Sequence, residues 1–235
     1  MRARTYPPPT NAGQHSRTLT SGIYSQLKEM LISGQLIPGE PLSLRSLAAD
    51  LGVSVMPIRE AIQRLAAERA LEVLPNRTIR VPRMSEETFR EITEIRKNIE
   101  GFAVARASKL ITEAELALAE KAQARFSEEL KKRNPNRTRL ILDNKKLHFT
   151  IYKAARMPTL LALIEVLWMR IGPILNYDLR TATDRVQQKP AVLHHDHLLT
   201  ALRCRDGLAA SLALEGDIDS AARFIIIAGD LITSD

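Results

Sequence analysis

Apolar positions recur at helical spacing along most of the chain. Ile23, Leu27, Met30, Leu31 and Leu36 form the first stripe, which Gly34 and Pro38-Gly39 close with a turn. Ser43 is placed to cap a short helix whose stripe is Leu44, Leu47, Ala48 and Leu51, and Gly52 stands where a left-handed C-terminal cap is wanted. Almost at once Ser54 offers another N-cap, with Pro57 in the first turn and Ile58, Ala61, Ile62 and Leu65 facing inward. Two short helices joined by a glycine-containing turn form a helix-turn-helix. The second helix presents Ser54, Val55, Met56, Arg59 and Gln63 outward, near the end that enters a major groove. The stretch "LEVLPNRTIRV" then reads as two short strands around a Pro75–Thr78 tip. Residues 21–82 are therefore expected to form a winged helix-turn-helix. The plainer alternative is a small helical bundle with a hairpin and no nucleic acid.

Pro82 and "MSEE" mark a boundary, with Ser85 as N-cap and Glu86 and Glu87 favourably placed in a first turn. Helix follows helix from there, and residues 85–235 are expected to form an all-α antiparallel bundle, so the chain as a whole is mostly α. Ile92, Ile95, Ile99 and Ala103 lie on one side of the first rear helix, and "TEAE" at Thr112–Glu115 is a capping box opening the next. The basic run "KKRNPNRTR" reads as a solvated loop between helices.

Polar residues intrude on three of the apolar stripes. Asn144 and His148 share a face with Leu147, Ile151 and Ala155. In "LHHDHLL" only His195 sits squarely on the stripe of Val192, Leu198, Leu199 and Leu202, whereas His194 and His197 fall on solvent-facing flanks. Asp217 lies on the stripe of Ala210, Ala213, Leu214, Ile218 and Ala221. A carboxylate there must be paired, protonated or metal-bound, because an isolated buried charge is too costly. Four polar groups are thus expected inside one helical core. The plain account is that they hydrogen-bond one another.

Composition narrows the class. The chain of 235 residues is 45% hydrophobic and 26% charged, with aromatics at only 4%, ordinary for a helix-rich globular protein. Net charge is +7; residues 1–82 hold 10 Lys/Arg against 6 Asp/Glu, so +4 of it falls in about a third of the chain, as a domain meeting a polyanion needs. No apolar run is expected to span a membrane. Residues 1–20 combine basic residues with consecutive prolines and read as a disordered leader rather than a secretory signal. The single Cys204 excludes an internal disulfide and fits a reducing cytoplasm.

From Tyr24 to Val81, the marks Gly34, Pro38-Gly39, "LAADLGVS" and "MPIREAIQRL" closely resemble the DNA-binding domain of the GntR family of bacterial transcription regulators. The resemblance implies that Arg45 and Arg59 contact the operator, Arg59 as a base reader whose guanidinium grips guanine O6 and N7. Val55 departs from the family, which usually carries Arg there, and Thr78 stands where the wing tip usually has Gly. Arg77 and Arg80 are expected to supply phosphate contacts. The rear part resembles the FCD ligand-binding domain of the FadR type. That resemblance implies a divalent metal inside the bundle, with His148 and His195 matching two family histidines, Asn144 in an acidic position and Asp217 in that of a further His. Amide and carboxylate oxygens are acceptable ligands beside two imidazoles, and Zn, Ni and Mn all suit the set. Arg96 matches an arginine that reaches the effector site in this family, which suits a small carboxylate-bearing molecule. Arg170 and Tyr177, after Trp168, either line the same cavity or lie on an exposed helix face.

Together these readings describe a homodimeric regulator, a repressor by preference, binding a pseudo-palindromic double-stranded operator. A second reading keeps the DNA-binding part and makes the bundle a metal-free dimerisation module. A metallohydrolase is disfavoured: there is no HExxH spacing and no evident general base.

Overall fold

The computed structural model describes residues 16–180, 188–228 and 231–232; the side chains of residues 16–18 and 177–180 lie outside the description. The front part starts with α1 (Ser16–Ile32), so the last residues of the expected leader are helical, while residues 1–15 fall outside the described ones. Next come β1 (Pro41–Leu42), α2 (Leu44–Leu51), α3 (Val55–Ala67), β2 (Glu72–Val73) and β3 (Ile79–Arg80). Ser43 Oγ accepts from Ser46 N at the start of α2, and Gly52 ends it at φ 66, as the sequence required. β3 pairs antiparallel with both β1 and β2. The wing hairpin was expected; β1 was not, because two residues carry no alternation to read.

The rear part is α4 (Glu86–Leu110), α5 (Glu113–Lys131), α6 (Arg137–Ala154), α7 (Pro158–Arg180), α8 (Pro190–Arg203) and α9 (Gly207–Ala228). Ser85 caps α4, and Thr112 with Glu115 forms the capping box of α5. The basic loop folds back on Glu129, which pairs with Lys132 and accepts from Asn136 N. α4 and α9 cross closely at Gly101, where a Cβ would stand 2.6 Å from Ser211 Oγ. The face of α4 differs from the expected one: Ile95 is outward at 41% exposure, and Thr93, Arg96 and Glu100 turn inward beside Ile92 and Ala103. The inward face of this helix is selected by a buried ion pair as well as by apolar residues.

The two parts are joined through α7. Gly172 packs on the C-terminal turn of α1, where a Cβ would come within 2.6 Å of Leu31 O and 2.9 Å of Ile32 O. Asn176 Nδ2 donates to Ile32 O at 2.9 Å, and Lys28 Nζ meets Glu165 Oε2 at 3.0 Å. Lys145 of α6 pairs with Glu29 of α1. Contrary to the expectation that no such run exists, Pro158–Asn176 of α7 is long and apolar enough to cross a membrane by composition. Half of that stretch is buried within the protein, and Glu165 and Arg170 interrupt it, as fits the core helix of a bundle.

Candidate metal centre and nucleic-acid interface

The front part presents an exposed, unneutralised face. Ser54 occupies the N-cap position of α3, but its side chain makes no capping hydrogen bond. Met56 is 58% exposed, Val55 half-buried, and Arg59 exposed with no ion pair or hydrogen bond among the described residues. Arg45 and Arg77 line one concavity with Ser43 and Thr78, where α2 begins beside the wing. Two guanidinium groups around a helix start suit a backbone phosphate. The left-handed residue of the wing tip is Arg77, at φ 63, and Asn76 Oδ1 accepts from Thr78 N. Thr78 therefore does not occupy the position that demands glycine. The register places Arg80 opposite Glu72, and the two form an ion pair across the strands.

Inside the bundle, α6, α8 and α9 bring His148, His195 and Asp217 together, with a ligand atom of each within 4.8 Å of the other two. His148 Nε2 lies 3.4 Å and His195 Nε2 3.6 Å from Asp217 Oδ2. The other ring nitrogens are held from behind. Tyr152 Oη lies 3.3 Å from His148 Nδ1, and Gln123 Oε1 lies 2.7 Å from His195 Nδ1. Both imidazoles thus aim Nε2 at one carboxylate, the orientation that a metal-binding histidine requires. Asn144, one turn before His148, is buried, and its side chain makes no hydrogen bond among the described residues. Two imidazoles and a carboxylate, with a carboxamide one turn before His148 on the same helix, fit a divalent-metal donor set.

Burial alone would raise the Asp217 carboxyl, but the neighbouring imidazoles of His195 and His148 outweigh it and hold it well below the usual carboxylate range. Arg96 belongs to the same buried network: its guanidinium donates to Glu100 at 2.6 Å and sits 5.1 Å from the centre of the Trp168 ring. Burial lowers its basicity; Glu100 more than restores it. Tyr152 Oη hydrogen-bonds Glu100 as well, and burial first, then the Glu100 charge, push that phenol well above its usual range. Trp168, whose ring is 5.6 Å from that of His148, has a buried Nε1 with no hydrogen-bond partner among the described residues.

Of the remaining expected residues, Arg170 does not join this network. It lines a cleft between the two parts of the chain. The side chain of Tyr177 lies outside the described residues. The sequence reading missed Gln123, Glu100 and Tyr152. Gln123 was legible, since it falls on the stripe of Leu116, Ala119, Phe126 and Leu130, where a polar residue calls for a buried partner. His194, by contrast, is half-buried over Gly216 and His197 is exposed, so neither joins the cluster.

A winged helix-turn-helix with an exposed basic reading face, joined to a helical bundle, defines a DNA-binding transcription regulator. Residues 19–81 match the family described as "Bacterial regulatory proteins, gntR family", and residues 91–220 match the FCD domain. The chain is 33% identical over 189 residues to the HTH-type transcriptional regulator McbR of Escherichia coli (strain K12), covering 80% of this chain and 84% of that one. It is 27% identical over 201 residues to the HTH-type transcriptional repressor RspR of the same strain, covering 82% of each. Among solved structures, E. coli McbR/YncC superposes with a TM-score of 0.82 at 30% identity, over 90% of this chain and 98% of that one. The chain belongs to the GntR family of bacterial transcription regulators, in the FadR-type branch that carries an FCD domain.

Proposed function

We propose that this regulator is a cytoplasmic homodimeric repressor that binds a pseudo-palindromic operator and loosens or tightens its grip when a small carboxylate-bearing molecule binds beside a metal in the bundle. In this reading residues 21–82 read DNA and residues 85–235 sense the effector. The observation that carries it is the convergence of His148, His195 and Asp217 in a bundle whose α6 and α7 are fixed to α1. Those three side chains, with the Asn144 amide oxygen, would hold the metal. Once bound, a divalent cation supplies a Lewis-acid contact for a carboxylate oxygen. Gln123 and Tyr152 keep the imidazoles oriented, and Arg96 offers a guanidinium in the same buried network.

Coupling to DNA runs through α7. Trp168 packs against His148, and one and two turns further on Gly172 and Asn176 touch the end of α1. A ligand that favours one arrangement of α7 therefore biases the position of the helix-turn-helix. Dimerisation draws support from Phe102 and Leu212, which are 53% and 58% exposed on α4 and α9 beside the close crossing of Gly101 and Ser211. The name of RspR supports repression.

Elemental mass spectrometry of tag-free protein tests the metal, with the His148→Ala/His195→Ala protein beside it. Near-stoichiometric metal in the parent and none in the variant is the expected result. Metal-free parent protein, even after incubation with Zn, Ni and Mn, makes the cluster structural. Titration of an operator fragment from upstream of the gene at several salt concentrations tests the DNA reading. Preference over random DNA at every salt is expected; affinity that falls with salt and shows no preference overturns it for that site.

A further inference from the structure

Away from the metal cluster, a cleft of about 630 Å3 opens where the end of α3 and the wing meet α4 and α7. Its walls carry Arg69 from the front part, Arg83 from the connection and Arg170 from α7, along with Leu71, Val73 and Met84, the Arg83 guanidinium lying over Gly39. None of the three guanidinium groups has an ion pair or hydrogen bond among the described residues. Glu72, the acidic residue of the lining, is occupied by Arg80, and Glu91, whose charge reaches Arg170, forms no ion pair with it. Burial and then the like charge of Arg69 both disfavour the Arg170 cation. Arg69 and Arg170 thus place two like charges on the walls of one cleft.

Arg69 is one of five basic residues at positive φ among the described residues, with Arg77, Arg156, Lys189 and Arg205. It holds φ 55 immediately after the C-cap of α3, a left-handed conformation that glycine adopts without strain. An arginine at that position keeps the strain, and what it adds is a guanidinium at the mouth of the cleft.

We propose that this interdomain cleft is a binding site for a small organic anion, a phosphate or carboxylate head on an apolar body, held by Arg69 and Arg170. Guanidinium groups grip such heads bidentately, and Leu71, Val73 and Met84 accept the apolar part. The volume is that of a metabolite site. Operator phosphates are not the occupant, because α3 is 13 residues long and the cleft lies about 20 Å from its reading end. None of His148, His195 and Asp217 lines the site, and an anion in it would bridge the two parts of the chain.

Isothermal titration with phenyl phosphate, and with inorganic phosphate beside it, tests the proposal on the full chain. The parent is expected to bind phenyl phosphate saturably, one per chain and more tightly than inorganic phosphate. Arg69→Gly relieves the left-handed strain and should melt no lower than the parent, yet bind at least about tenfold more weakly. Arg170→Gln should weaken binding similarly, whereas Arg59→Ala, on the DNA face, should bind as the parent does. Absence of saturable binding in the parent overturns the site. So does equal binding by the parent and Arg69→Gly, or loss of binding in Arg59→Ala alone.

Discussion

Gly172 of α7 meets Leu31 of α1 backbone to backbone: a Cβ on the glycine would stand 2.6 Å from the Leu31 carbonyl oxygen. Gly172→Ala must push the helices apart. Such overpacking costs about 1–3 kcal/mol, partly offset by the ~1 kcal/mol by which alanine favours a helix over glycine. Urea unfolding should show net destabilisation, and operator affinity should change although Gly172 touches no DNA-reading residue. Unchanged stability together with unchanged operator affinity would mean that the joint is slack.

Arg59 and Arg80 should behave oppositely in DNA binding. Arg59→Ala is expected to lose about 1–3 kcal/mol of specific binding and to relax base preference at one position. Arg77→Ala should weaken all sequences alike and lower the salt slope by about one. Arg80→Ala should leave that slope in place, since its guanidinium already pairs with Glu72. Salt titrations of the three variants against operator and random DNA separate these cases.

Gln123 tests the orientation of His195. With its Oε1 2.7 Å from His195 Nδ1, Gln123→Leu removes the partner and leaves the imidazole in place. Metal affinity should fall about 10–100-fold while the protein stays folded, in contrast to abolished binding in His195→Ala. Competition with a chelator of known affinity measures the difference, and parent-like affinity in Gln123→Leu would remove the residue from the centre.

Tyr24 ties α1 to α3. Its hydroxyl donates to Glu68 Oε2 at 2.7 Å, and burial, then that hydrogen bond and charge, push its pKa up to about 12. The folded value lies above the unfolded value near 10, so the contribution is complete below pH ~10 and is lost as pH rises towards 12. Thermal melts across that range should fall more steeply for the parent than for Tyr24→Phe, which keeps the ring against Arg64. Parallel curves would contradict the assignment.

The helical period alone was enough to bring Asn144, His148, His195 and Asp217 inward, because a polar residue on an otherwise apolar stripe has nowhere else to point. The same logic was available for Gln123. It failed for Ile95, since the inward face of α4 is decided by Arg96 and Glu100 satisfying each other, a pairing that hydrophobic pattern does not register. Arg80 and Arg170 show a different gap. Whether a surface cation is free depends on what another segment sets beside it, Glu72 in one case and Arg69 in the other. β1 is defined by its partner β3 rather than by its own residues.

The Arg96–Glu100 pair has a consequence for the order in which the bundle could be filled. Arg96 and Glu100 cancel, which leaves Asp217 as a surplus negative charge when the imidazoles are neutral. An acid entering that interior alone would meet repulsion from Asp217 and an arginine already satisfied. A divalent cation held by His148, His195 and Asp217 would reverse the sign, leaving one positive charge that a single carboxylate would neutralise. Under the proposed function the interior would then work as a two-key lock: cation first, acid second, with neither the acid nor an uncharged analogue able to substitute for the first key.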